Sequence, residues 1–91
     1  MQLKNREAEA LFAKLRLVVQ MSHHKTATLY YEGRAILRTR ISHGHGDIPP
    51  VIVAKIRSQL KVTEQQLRAL VDCSLSYEDY IELLRAKGII S

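Results

Sequence analysis

The sequence contains no tryptophan, a single cysteine, two prolines and four glycines in 91 residues. One cysteine cannot form an internal disulfide, and without a CxxC pair it cannot build a thiolate zinc centre, so both kinds of scaffold are excluded. The low proline and glycine content argues against collagen-like and low-complexity sequence. We therefore expect an ordinary folded domain, in which Cys73 is a small apolar residue of a helix.

Long hydrophobic runs are also missing. No apolar stretch approaches the roughly 20 residues that a membrane-spanning helix needs. The first 20 residues alternate charged with apolar groups, unlike a signal peptide. With 46% hydrophobic residues the chain can bury one modest core but not two. We predict one domain spanning residues 1–91, soluble and cytoplasmic, with no membrane partner.

Positive charge is concentrated in the first two thirds of the chain. Residues 1–61 hold eleven Lys or Arg and four acidic residues, a balance of 11 − 4 = +7, whereas residues 62–91 hold three and five, a balance of 3 − 5 = −2. Such a field attracts nucleic acid without specifying sequence. An ordinary solvated basic surface would give the same count. RNA is therefore a candidate partner rather than an established one.

Hydrophobic spacing predicts a first amphipathic helix from about Asn5 to Val19. Residues 26–32 are rich in β-formers, Glu32-Gly33 is a turn signal, and residues 34–42 resume an extended pattern, which together predict a hairpin. Alternation along the second strand gives it an apolar face and a basic face. The apolar face carries Leu37, Thr39 and Ile41, and the other carries Ile36, Arg38 and Arg40. A third short strand is compatible with the pattern but has no definite place.

Three more helices are predicted after the hairpin. Asp47 is a candidate N-cap for a helix with two prolines in its first turn. Capping-box patterns start the next two helices, and Gly88 stops the last. These boxes are Thr63 with Gln66 and Ser76 with Asp79. The chain is thus predicted to be an α+β domain: an N-terminal helix, an antiparallel β-hairpin or three-stranded sheet, and helices packed on one face.

All four histidines flank the predicted hairpin. His23 and His24 precede its first strand, and His43 and His45 follow its second. Because imidazole titrates near neutral pH, it can act as a general acid or base. RNA is cleaved without metal when its 2′-hydroxyl attacks the adjacent phosphate, a reaction that needs a base, an acid and cations.

The residues offer candidates for each of these parts. His23 or His24 is the candidate base, and His43, His45 or Tyr30 the candidate acid. Arg38 and Arg40 are candidates for stabilising charge on the phosphate. Two alternatives stay open: histidines that only cap a strand or contact solvent, and a metal site assembled from three imidazoles.

Several motifs, taken in order, resemble the HicA toxin family. A leading helix is followed by Ser-His at a hairpin and then by three further segments. These are Ile41-Ser42-His43-Gly44, Asp47-Ile48-Pro49-Pro50 and Val53-Ala54-Lys55-Ile56-Arg57-Ser58-Gln59-Leu60. The similarity runs from about Leu11 to Leu70. It implies a fold similar to the double-stranded-RNA-binding domain, and an mRNA-cleaving activity that an antitoxin, HicB, masks by binding.

The resemblance also implies roles for individual residues. The family's Gly-Ser-His motif holds its catalytic histidine, and Ser22-His23 matches the last two positions, so His23 is implied as catalytic. Strand alternation instead favours His24 as the exposed group, and a bulge near the strand start would reconcile the two. We rank His23 first and His24 second, and expect neither metal nor cofactor. The expected substrate-binding residues are Ser22, Lys25, Arg38, Arg40, His43 and His45.

The chain departs from the family pattern in two places. Met21 stands where the family has glycine, and residues 74–91 add a helix beyond a HicA-like core of residues 5–73. This added helix is expected to complete the core, to form a homodimer or to cover part of the basic surface. The departures favour a second hypothesis, a non-catalytic RNA-binding or protein-interaction domain of the same fold.

Overall fold

The computed structural model describes residues 1–42 and 46–90 of the chain. In these residues a helix precedes three strands, and three more helices follow. The elements are α1 (Asn5–Lys14), β1 (Val18–Met21), β2 (Lys25–Tyr31), β3 (Arg34–Ile41), α2 (Pro50–Gln59), α3 (Glu64–Val71) and α4 (Tyr77–Ala86). This is the α+β layout predicted from the sequence, with three strands rather than two.

Helix α1 ends at Lys14, five residues earlier than predicted. The third strand, which the sequence pattern could not place, begins shortly afterwards at Val18. Arg16 adopts a left-handed φ of 58°, and the Leu17 amide donates to the Phe12 carbonyl oxygen at 2.9 Å, which closes a Schellman motif. Leu17 and Phe12 are both buried, as that motif favours. Val18 and Val19, predicted on the helix, therefore lie in β1 and are exposed. That part of the helix prediction was wrong.

The three strands form one antiparallel sheet in the order β1-β2-β3. Glu32 and Gly33, with φ values of 52° and 77°, form the tight turn between β2 and β3. Both values are positive, as in the type I′ turn that suits the twist of a hairpin. The hairpin turn predicted at these two residues is confirmed.

The sheet has a buried inner face and an open outer face. Inner-face residues pack into the core: Ala27, Leu29, Leu37, Thr39 and Ile41. The register places Arg40 opposite Thr26 and Arg38 opposite Thr28 on the outer face, where both arginines are exposed. The predicted division of β3 into an apolar and a basic face is confirmed.

Helix α2 begins without a side-chain cap. Its N-cap residue is Pro49, and Asp47 lies two residues earlier, so the prediction of Asp47 as the cap was wrong. Asp47 instead forms a β-bridge with Lys4, beside a hydrogen bond from the Ile48 amide to the Leu3 carbonyl oxygen at 2.8 Å. This pairing ties the N-terminal residues to the start of α2.

The last two helices begin as predicted, and the last one also ends as predicted. Thr63 and Ser76 both form capping boxes, and Gly88 follows α4 with a φ of 75°. Cys73, however, follows α3 in a left-handed conformation (φ 70°) and is exposed, so its prediction as an apolar helix residue was wrong. None of the helices in the described parts of the chain is long and apolar enough to cross a lipid bilayer.

Helix α4 completes the core. Its buried residues are Tyr80, Ile81 and Leu84, and the core they join extends from Leu3 to Ile90. The Tyr80 hydroxyl donates to the Leu60 carbonyl oxygen at the end of α2, at 2.8 Å. Of the roles expected for the added helix, packing into the core is therefore the one that the structure shows.

Candidate functional site

His23 and His24 lie in the loop that joins β1 to β2. Met21 pairs with Lys25 at the strand ends, and within the loop the Ser22 amide donates to the His24 carbonyl oxygen at 3.2 Å. Both imidazoles are on exposed residues. Since the histidines lie before the strand, its alternation does not decide which way they face. The sheet's irregularity falls at Leu29 and Tyr30, away from the strand start where a bulge would have reconciled the two histidine assignments.

A groove runs between β3 and α2 and reaches this loop. Its volume is about 430 Å³. The lining residues are His24, Arg40, Ile41, Ser42, Ile52, Lys55, Ser58 and Gln59. His24 belongs to this lining and His23 does not. The tight turn thus places one histidine of the pair beside the two cationic side chains of the groove.

A second depression of about 320 Å³ adjoins the first. It is lined by Thr26, Arg38, Thr39, Arg40 and Gln59. Arg40 and Gln59 line both, so the two form one track, which we call the β3–α2 groove. The groove leads from the histidine turn to the arginines of β3.

A buried threonine fixes the orientation of Gln59. Thr39 is 1% exposed, and its hydroxyl donates to the Oε1 atom of Gln59 at 2.7 Å. A buried hydroxyl without a partner is unfavourable, and this bond removes that cost. The bond also joins β3, near its C-terminal end, to the last turn of α2, and so connects the two walls of the groove.

The groove is cationic. Arg38, Arg40 and Lys55 line it, and none of the lining residues that the structure describes is acidic. Cationic side chains in a concave site attract phosphate groups. Combined with the imidazole of His24, they give the groove the means to bind a phosphodiester and to move a proton beside it.

The structure brings together some of the predicted site residues and separates others. Arg38, Arg40, Ser42 and His24 line the groove. Lys25 shares strand parity with the buried Ala27, and its ammonium group pairs with the Glu9 carboxylate of α1.

Other predicted residues lie elsewhere. Ser22 is exposed in the histidine turn, and Tyr30 is exposed on β2. His43 and His45 lie outside the described residues.

Helix α2 supplies groove residues that no sequence motif had indicated. Ile52, Lys55, Ser58 and Gln59 recur at spacings of three and four, which places them along one side of the helix. Three of them are polar, and none of the four was predicted as a site residue. Their spacing was visible in the sequence, but their proximity to β3 was not.

The described parts of the chain contain no group of three histidine, cysteine, aspartate or glutamate side chains that could hold a metal ion. Two of the four histidines lie outside those parts. The three-imidazole alternative therefore stays a prediction.

Comparisons of the chain with protein-family models, with curated proteins and with solved structures found no match.

Proposed function

We propose that this protein binds RNA in the β3–α2 groove and cleaves it without a metal ion, as a ribonuclease of HicA type with His24 as its acid–base group. The observation that carries the proposal is the position of His24. It lines the same groove as Arg40 and Lys55, so an RNA phosphate held by these cations would lie beside an imidazole. His23, which the motif favours, is the adjacent residue of the same turn.

The proposed reaction is an internal transfer at one phosphate. His24 takes the proton of the 2′-hydroxyl, the 2′-oxygen bonds to phosphorus, and the bond to the 5′-oxygen breaks, which leaves a 2′,3′-cyclic phosphate. Arg40 and Lys55 stabilise the extra negative charge of the phosphorane. The departing 5′-oxygen takes up a proton, for which His43 and His45 remain the candidate donors.

The resemblance adds proposals about partners. A HicB-like antitoxin would mask the groove, and the protein would act on mRNA in the cytoplasm. A homodimer through the C-terminal helix also stays a prediction. On α4 the residues Tyr80, Ile81 and Leu84 are already used within the core, so such a dimer would need its other faces.

A cleavage assay with adjacent histidine variants tests the proposed activity. Parent protein, His24→Ala and His23→Ala are purified under denaturing conditions, refolded to remove any bound partner, and incubated with mixed-sequence RNA in EDTA. We expect the parent and His23→Ala to cleave and His24→Ala to lose activity by a factor of about 10²–10⁴. Undiminished cleavage by folded His24→Ala would contradict the assignment.

The second candidate function is an RNA-binding domain without catalysis. It is favoured by the presence of a single imidazole among the described lining residues of the groove, and by Met21 at the motif's glycine position. Salt-dependent RNA binding by refolded parent protein, with no cleavage in EDTA or in added divalent metal, would support this candidate over the ribonuclease.

A further inference from the structure

Gln59 lies where the two parts of the β3–α2 groove meet. It lines both parts, with Arg40 beside it in each. The cations lie on either side: Lys55 in the part that reaches His24, and Arg38 in the other. A strand whose phosphates contact these cations would therefore pass Gln59 in the middle of its path.

The amide of Gln59 is held in one orientation. Its Oε1 atom accepts the Thr39 hydroxyl at 2.7 Å, so its Nε2 atom remains to donate. Within residues 1–42 and 46–90 no group accepts a hydrogen bond from Nε2. Among the described residues, the groove therefore presents the Nε2 amide of Gln59 as a hydrogen-bond donor without an acceptor.

The hydroxyl of Thr39 orients the Gln59 amide, a role that packing alone would not require. Thr39 lies on the inner face among apolar residues, where valine has nearly the same shape and no hydroxyl to satisfy. Beyond the apolar packing that a methyl group would also provide, the hydroxyl adds one hydrogen bond, to Gln59. What it supplies is the hydrogen bond that fixes the Gln59 amide.

We infer that Gln59 recognises an unpaired RNA base by donating a hydrogen bond from Nε2, and that Thr39 is the positioning residue that holds the amide in this orientation. The inference rests on the proposed RNA binding and names its substrate class, single-stranded RNA. In an A-form duplex the Watson–Crick edges are paired and the major-groove edges lie too deep for side chains, whereas an unpaired base can turn these edges into a concave site. The cations bind phosphate, which leaves the neutral amide to contact the base.

A binding selection separates this inference from the cleavage chemistry. The probe is a random single-stranded library of 2′-fluoro RNA, which lacks the attacking 2′-hydroxyl, and the readouts are the enriched sequences and their affinities. We expect the parent to favour one base at one position by about threefold to tenfold, the effect of a single hydrogen bond. The same sequence annealed to its complement should bind more weakly.

Substitutions at Gln59 and Thr39 supply the decisive comparison. Gln59→Glu still accepts the Thr39 hydroxyl but replaces the free donor by an acceptor, so its preferred base should change to one that presents an amino group. Ser58→Glu adds the same charge one residue away and should weaken all sequences alike. Thr39→Val should reduce the preference, and Thr39→Ser should retain it.

The outcomes distinguish the inference from the proposed function. If the parent binds no RNA, both fail. If it binds RNA without base preference, or binds the duplex as tightly, the assignment of Gln59 fails and RNA binding stands. An unchanged preferred base in folded Gln59→Glu overturns the inference in the same way.

Discussion

The hydrogen bond between α4 and α2 is expected to contribute measurably to stability. Tyr80 is fully buried, and its hydroxyl reaches the Leu60 carbonyl oxygen at 2.8 Å. Leu60 is the C-cap residue of α2, where carbonyl oxygens have no partner within the helix. Tyr80→Phe would leave this oxygen unpaired beside the ring, at a cost of about 1–3 kcal/mol. For a domain of this size, each kcal/mol lost from the free energy of unfolding lowers Tm by roughly 4–8 °C.

Urea and thermal unfolding, followed by circular dichroism, measure this loss. The control is Tyr77→Phe, which removes the same atom one turn earlier in α4. Tyr77 is half-buried and its ring lies 4.2 Å from the Arg16 guanidinium, a contact that does not need the hydroxyl. We expect the control to change stability by less than about 0.5 kcal/mol. Equal stability of the two variants would refute the role given to the Tyr80 hydrogen bond.

The same tyrosine predicts a pH dependence. Burial raises the pKa of Tyr80 above its ordinary value of 10.0, so the unfolded chain loses this proton at lower pH than the folded one. The contribution of the neutral Tyr80 side chain to the free energy of unfolding is complete below pH 10. It is lost as the pH rises above 10, by up to about 1.4 kcal/mol per pH unit. Urea unfolding between pH 9 and 11.5 should therefore show a shallower decline for Tyr80→Phe than for Tyr77→Phe. Parallel declines would contradict this explanation.

Two further predictions concern helix ends and salt. Lys61 follows α2 with a φ of 63°, a left-handed conformation that glycine adopts more easily than lysine, so Lys61→Gly should raise the free energy of unfolding by about 1 kcal/mol. Gly88 has a φ of 75°, so Gly88→Ala should lower the free energy of unfolding by about 1 kcal/mol. Urea titrations measure both changes, and changes of the opposite sign would contradict this explanation. Because a Cβ on Gly88 would meet no atom within 4 Å, that cost comes from the backbone alone. If RNA lies in the groove, Arg40→Gln should make the fall of the logarithm of the RNA-binding constant with the logarithm of salt concentration shallower by about 0.7. Arg34→Gln, at the other end of β3, is the control and should leave this slope unchanged. Equal slopes for the two variants would argue against RNA binding in the groove.

Local signals predicted much of the fold. The capping boxes at Thr63 and Ser76, the turn at Glu32-Gly33 and the stop at Gly88 depend on groups within a few residues of one another, so their sequence patterns were sufficient. The failures came where a local pattern had two solutions. The apolar spacing that predicted helix as far as Val19 also suits a Schellman turn followed by a strand.

The candidate site was predictable only in part. The basic face of β3 followed from strand alternation, and the histidine pair marked the turn that carries His24. The motif could not tell which histidine reaches the cations, because the answer depends on the turn between β1 and β2. The groove residues of α2 were not predicted, because nothing local indicates that Lys55 and Gln59 lie beside β3.

The sequence by itself determined the α+β layout, three of the four helix starts, the β2–β3 turn and the two faces of β3, because short-range hydrogen bonding and alternation decide these. Only the tertiary structure decided that β3 and α2 enclose a groove, that Thr39 holds Gln59 there, and that α4 completes the core. These features join residues about 20 positions apart, and their contacts follow from how the whole core packs rather than from any local pattern.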